Sequence, residues 1–140
     1  MIAVVDSSAF VTLFTSNHDD LDPRLTSRLT QLTLPHVPDV VDVEFHHALR
    51  GLLLGGKIGV ERADLARELF SLTPKRRVPT HPLSDRIWEL RDNLGAYDAC
   101  FLALAESLEA PLVTCDSKQA SASGHHASVE VFDPAEWRKL

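Results

Sequence analysis

With 140 residues and 15.5 kDa, the chain is long enough to bury one core without disulfides or a structural metal, and 44% hydrophobic against 24% charged residues excludes a disordered polymer. A mean hydropathy of -0.05 and the lack of any apolar run near the roughly 20 residues of a membrane span exclude an integral helical membrane protein. The net charge of -6, from 20 acids against 14 bases, argues by itself against a general nucleic-acid binder.

The first segment, Ile2 to Val5, is β-branched and apolar and reads as a buried strand ending at Asp6. It is too short for a signal-peptide core, so a cytoplasmic location is expected. Ser7 or Ser8 is expected to cap a helix through about Thr15. Asp22-Pro23 opens a second helix, with Leu25, Leu29 and Leu32 on its apolar face. Residues 35–38 are extended. Asp39 is the expected cap of a long helix from Val40 to Leu54, stopped by Gly55-Gly56. A further helix spans Val60 to Leu72 and stops before Pro74. Residues 77–80 read as a weak strand, and Ser84 as the cap of a helix running to about Asn93. Ala96 to Leu108 is a helix of mostly Ala, Leu, Phe and Cys, apolar on most sides. Leu112 to Cys115 is a second clear strand, ending in Asp116. A short helix over residues 117–122 and a strand over residues 129–132 complete the pattern. This alternation predicts an α/β sandwich around a mainly parallel sheet, in one domain over residues 1–140. Cys100 and Cys115 form no CxxC pair and lie in apolar stretches, so buried free thiols are expected.

Four of the acids have unusual positions. Asp6 and Asp116 each follow a strand directly, at the sheet edge where α/β proteins place ligand sites. Glu44 lies among Val40, Val41, His47 and Ala48 at helical spacing, an acid within a largely apolar stripe. Asp98 lies in the first turn of the apolar helix, with Phe101, Leu102 and Ala105 on its side. Each has an ordinary alternative: a helix cap for the two aspartates at strand ends, a salt bridge for Glu44, a dipole partner for Asp98. Together, four carboxylates on one edge require a counter-ion. A set with no His or Cys ligand suits a hard cation such as Mg²⁺ or Mn²⁺ and metal-assisted phosphoryl chemistry. Setting those four aside leaves 16 acids against 14 bases, so arginines and lysines are expected to be available for phosphates. Lys75-Arg76-Arg77 is the one basic run, either a solvated loop or an RNA contact.

Val4-Val5-Asp6-Ser7-Ser8, Pro38-Asp39-Val40 through Glu44, Ala96-Tyr97-Asp98-Ala99 and Val113-Thr114-Cys115-Asp116 resemble, in order, the four acidic motifs of PIN-domain ribonucleases, and in particular the single-domain VapC toxins of toxin–antitoxin operons. The resemblance covers nearly the whole chain. It implies a PIN-like three-layer sandwich, a Mg²⁺- or Mn²⁺-dependent endoribonuclease, an RNA substrate, a cognate antitoxin and a homodimer. By position Asp6, Glu44, Asp98 and Asp116 map onto the acidic quartet. Asp6 and Asp98 are the expected direct metal ligands, with Glu44 and Asp116 completing the site directly or through water. Thr114, Ser7 and Glu106 are expected to support the acids from behind.

Two other readings remain open here. A phosphatase with an aspartyl nucleophile at Asp6 would want a second acid two residues later, where Ser8 stands. A non-catalytic interaction module could use the same acidic pocket only to receive a partner's arginines. His46-His47 cannot chelate together, since helix neighbours do not share a face, and His125-His126 reads as loop.

Overall fold

A computed structural model describes residues 2–137. Among the described residues five strands form one all-parallel sheet in the order β3-β2-β1-β4-β5: β1 (Val4–Val5), β2 (His36–Pro38), β3 (Arg76–Val78), β4 (Leu112–Thr114) and β5 (Val129–Val131). The helices between them are α1 (Ser7–Thr15) and α2 (Pro23–Thr30), then α3 (Val41–Leu54) and α4 (Val60–Leu72). After β3 come a 3-10 turn (His81–Leu83), α5 (Ser84–Glu89) and α6 (Ala96–Leu108). Then come α7 (Ser117–Ser121) and, last, α8 (Pro134–Trp137). The expected α/β sandwich with a parallel sheet is the observed architecture.

Handedness explains the layering. The first two crossovers step outward from β1 to β2 to β3. The third returns past β2 and β1 to β4, in the opposite direction. A right-handed connection made in the opposite direction must lie on the opposite face. Accordingly α1 packs on α3 and α4, while α6 packs on β1, β2, β4 and α5. The sheet reverses its winding between β1 and β4, where Val4 and Val5 pair with Leu112 and Val113. Asp6 and Asp116 therefore leave the sheet at its switch point, on the carboxyl edge.

The core is continuous. Val4, Val5, Val37, Leu112 and Val113 of the sheet are sealed by Phe10, Phe45 and Phe70 on one side and by Phe101, Leu102 and Leu104 on the other. The Phe45 and Phe70 rings stack at 3.9 Å between centroids. Among the described residues no helix is long and apolar enough to cross a membrane.

Several local expectations are corrected. α1 is capped by Asp6, not by Ser7 or Ser8: the Asp6 carboxylate accepts from the Ser8 amide. Asp39 does not cap α3; the N-cap is Val40, with no side-chain bond, and the Asp39 amide donates to the Val78 carbonyl and so belongs to the β2–β3 ladder. Asp42 and Glu44 in the first turn of α3 supply the negative charge a cap would bring. Ser84 donates its hydroxyl to the His81 carbonyl rather than capping, because the 3-10 turn His81–Leu83 runs straight into α5 and puts Ser84 inside the helical run; α5 ends at Glu89. β3 starts at Arg76, one residue earlier than expected, since its register against His36 decides it. α8 has no counterpart in the sequence reading.

α6 ends at Glu109, whose φ of 50° is left-handed and lets the Ala110 amide reach the Ala105 carbonyl. That conformation costs an L-residue about 1–2 kcal/mol. Glu109→Gly is expected to stabilise the protein by about 1 kcal/mol in denaturant unfolding, the relief of strain exceeding the added chain entropy. A loss of stability would contradict the cap geometry.

Candidate active site

Each of the four unusual acids lies at the start of a helix, at or within the first turns beyond the sheet's carboxyl edge. Asp6 ends β1 and is only 4% exposed. Its Oδ2 accepts from the Ser8 hydroxyl at 2.5 Å and from the Thr114 hydroxyl at 3.0 Å. Thr114 also accepts from the Asp116 amide, and the Ser8 oxygen accepts from the Cys115 amide. These bonds tie the ends of β1 and β4 together around the Asp6 carboxylate. Asp116 caps α7, its Oδ1 accepting from the Lys118 amide. The capping alternative and the site position are thus not exclusive: both strand-end aspartates cap a helix and also face the same edge.

Glu44 rises from α3 and accepts from the Ser7 hydroxyl at 3.0 Å. Among the described residues no Arg or Lys pairs with it, so the salt bridge considered from the sequence is not formed. Asp98, in the first turn of α6, is joined to Asp6 through Gln119. The Gln119 amide nitrogen donates to Asp98 Oδ1 at 3.3 Å and reaches Asp6 Oδ1 at 3.5 Å.

The electrostatics connect all four. Burial raises Asp6 above its ordinary value, against the hydrogen bonds of Ser8 and Thr114, and the Asp98 charge raises it further. Burial likewise raises Asp98, with Asp116 adding repulsion, while Gln119 and the charge of Lys118 pull it down. Glu44 is pushed up to about 7 by burial and by repulsion from Asp6 and Asp98. Asp98 is therefore the hub: it feels Asp116 and is felt by Asp6 and Glu44. Among the described residues no three Asp, Glu, His or Cys side chains are already drawn together as a metal-binding group. The four carboxylates stand within Coulombic reach of one another but apart.

The donor set fits a hard divalent cation. Every polar side chain bonded to the acids is a hydroxyl or an amide, with no thiolate or imidazole among them. The fully buried Gln119 holds its amide nitrogen toward two carboxylates and leaves its Oε1 without a hydrogen-bond partner. A buried amide oxygen without a hydrogen-bond partner, on a side chain that reaches two raised carboxylates, fits a position that receives a cation.

Gln119 carries no signal in the sequence. It lies in the short polar helix Ser117–Ser121, and nothing local separates it from a solvated residue. His125 holds it in place. The His125 Nδ1 accepts from the Ala127 amide, which leaves the proton on Nε2 to donate to the Gln119 carbonyl. Ser8 was also missed as a support; its hydroxyl bonds Asp6 more closely than any other group.

Among the expected supports, Thr114 and Ser7 touch the acids and Glu106 does not. Glu106 is held by Arg86 at 2.8 Å and by the His126 amide, two turns down α6. The expected free basic surface is corrected in part. Arg24 pairs with Asp22, Arg28 with Glu130 and Arg77 with Asp42. Lys75 donates to the Phe70 and Thr73 carbonyls and sits 4.0 Å from the Phe70 ring centroid, closing α4 rather than facing solvent. Cys100 and Cys115 are free thiols, pushed by burial up to about 12 and about 11.

The PIN domain family model matches residues 3–124. Ribonuclease VapC12 of Mycobacterium tuberculosis is 33% identical over 128 residues, 91% of this chain and 97% of that protein. Ribonuclease VapC1 of the same organism is 37% identical over 97 residues, 69% and 73% of the two chains. A toxin–antitoxin complex from Klebsiella pneumoniae has a chain that superposes with a TM-score of 0.63 over 94% of this chain and 98% of that one, at 17% identity. An all-parallel sheet that reverses at β1/β4, four acids at that reversal and these matches lead to one assignment: the chain belongs to the PIN-domain family, among its VapC-type members.

Proposed function

We propose that this chain is a metal-dependent endoribonuclease, the toxin of a toxin–antitoxin pair, which hydrolyses RNA phosphodiester bonds at Asp6, Glu44, Asp98 and Asp116. The observation that carries the reading is the coupling of Asp6 to Asp98 through the buried Gln119 amide, with Glu44 and Asp116 within electrostatic reach. The names of the VapC relatives, both ribonucleases, support it.

Asp6 and Asp98 would hold Mg²⁺ or Mn²⁺, with Asp116 and Glu44 completing the shell directly or through water. When bound, the cation offsets charge on the phosphate oxygens and lowers the pKa of water. The chain's own groups do the rest. Ser8, Thr114 and Gln119 fix the Asp6 and Asp98 carboxylates, so little reorganisation is left for the moment of reaction. Ser7 holds one oxygen of Glu44; where Glu44 meets the cation only through water, its Oε1 would take the proton of the attacking water. Attack in line needs no protein nucleophile. The phosphatase reading fails at Ser8, which bonds Asp6 and the Cys115 amide where that chemistry wants an acid.

The antitoxin partner is supported by the Klebsiella neighbour, itself a toxin–antitoxin complex. A groove of about 250 Å³ lies between α1, α2 and the end of α4, lined by Phe10, Leu13, Phe14, Leu29 and Pro74. On α4, Leu65, Leu69 and Leu72 are exposed. An amphipathic antitoxin helix in such a groove, and a second copy of the chain on exposed leucines, would cover this apolar surface.

Purified protein incubated with total RNA and Mg²⁺ should give discrete cleavage products, and the cognate antitoxin should suppress them. An antitoxin whose basic residue nearest the acids is changed to Ala should suppress less. Light scattering should give a dimer at micromolar concentration. Intact RNA under all metal conditions would leave the non-catalytic reading in force.

A further inference from the structure

Two small cavities meet at Tyr97. One, of about 210 Å³, is lined by Val43, Glu44, His47 and Tyr97. The other, of about 160 Å³, runs from Tyr97 toward Val40, Ile87 and Cys100. Tyr97 directly precedes Asp98 on α6, and His47 follows Glu44 by three residues on α3, so both lie on the helix ends that carry the acids. Tyr97 is 57% exposed and Val43 63% exposed. Among the described residues no hydrogen bond or ring contact engages the Tyr97 ring or the His47 imidazole.

Glu44 belongs to both the cavity and the acid cluster, so an occupant of the cavity touches the site itself. Among the described residues the cavity is lined by no Arg or Lys that could pair with a phosphate. A neutral planar group needs no such partner. It would gain an aromatic face from Tyr97, an apolar wall from Val43 and a hydrogen-bonding edge from His47. In RNA the group of that description is an unpaired base, which proteins hold by stacking on aromatic rings.

We propose that the Tyr97 cavity is the subsite for an unpaired nucleobase flanking the scissile phosphate, with the Tyr97 ring stacked on the base and His47 reading its edge. The proposal rests on the endoribonuclease reading. It makes Tyr97 a substrate-binding residue and His47 a determinant of cleavage sequence, while the quartet stays indifferent to the base.

The test is steady-state cleavage of a single-stranded RNA oligonucleotide by wild type, Y97A, Y97F and H47A, with the cut ends mapped and each protein's melting curve recorded. Losing one base stack corresponds to about a 10- to 100-fold weaker interaction. Y97A should therefore raise KM by about 10-fold or more with a smaller change in kcat, and Y97F should stay close to wild type. H47A should alter the base preferred beside the cut. An unchanged KM in Y97A, or a Y97F as impaired as Y97A, overturns the stacking subsite. An unaltered cut-site profile in H47A overturns the role given to His47. Conversion of Y97A to a smaller species in light scattering would show that a second copy of the chain occupies the cavity, and overturns the proposal as well. If wild type itself cleaves nothing, the endoribonuclease reading fails instead. Anisotropy of a labelled RNA oligonucleotide on wild type and Y97A then decides the subsite by itself, equal binding overturning it.

Discussion

Asp98→Asn should leave a folded protein that no longer cuts RNA. Asp98 is the carboxylate that couples to the other three, through Gln119 to Asp6 and through charge to Glu44 and Asp116. The amide keeps the shape of the side chain and removes the charge that a divalent cation needs. Loss of a group that merely orients a ligand costs about 10- to 100-fold in metal affinity or activity, so loss of a proposed ligand should cost about 100-fold or more. Stability should move the other way. In chelator the substitution removes repulsion at a partly buried site, so the melting temperature should rise. The two readouts together distinguish a functional acid from a structural one, since a structural acid would lose stability when neutralised. A well-folded Asp98→Asn protein with wild-type cleavage would overturn the site.

Removal of divalent cations by EDTA should stop cleavage, and Mg²⁺ or Mn²⁺ should restore it, with Ca²⁺ and Zn²⁺ poorer. The pH dependence follows from Glu44, raised from 4.5 to about 7. Between those values the folded, metal-free protein binds more protons than the unfolded chain. Its stability therefore falls as pH rises through that window, and is regained as pH drops below about 7. Melting temperatures in EDTA should accordingly be higher at pH 6 than at pH 8. Activity should run opposite, because a protonated Glu44 neither attracts a cation nor accepts a proton. Cation and proton compete for the same carboxylates, so raising Mg²⁺ should move the acid limb of the pH–rate curve to lower pH. Full activity in EDTA, or an acid limb that ignores Mg²⁺, would remove the metal from the mechanism. A melting temperature that rises with pH in EDTA would contradict the electrostatics assigned to Glu44.

Much of this molecule was legible in its sequence. The apolar strands ending in Asp6 and Asp116, the helix headed by Ala96-Tyr97-Asp98 and the acid set into the stripe of α3 were all identifiable, because strand burial, helical periodicity and the cost of burying charge act over a few residues. Those local rules determined the α/β class, the parallel sheet and the four acids.

The tertiary structure decided what depends on distant pairing. Register against β2 set the start of β3, and ladder hydrogen bonding drew Asp39 away from the cap expected of it. Arginines that looked available turned out to be paired with acids far away in sequence, as Arg28 is with Glu130 and Arg86 with Glu106. Gln119 shows the difference most clearly. Locally it is one polar residue in a polar helix. The parallel pairing of β1 with β4 and the return of α6 across the sheet bury it between Asp6 and Asp98, more than a hundred residues from the first and twenty-one from the second. A hydrogen bond of that range leaves no trace in spacing or composition, because the chain between the partners is free to vary while the contact is made only by the closed fold.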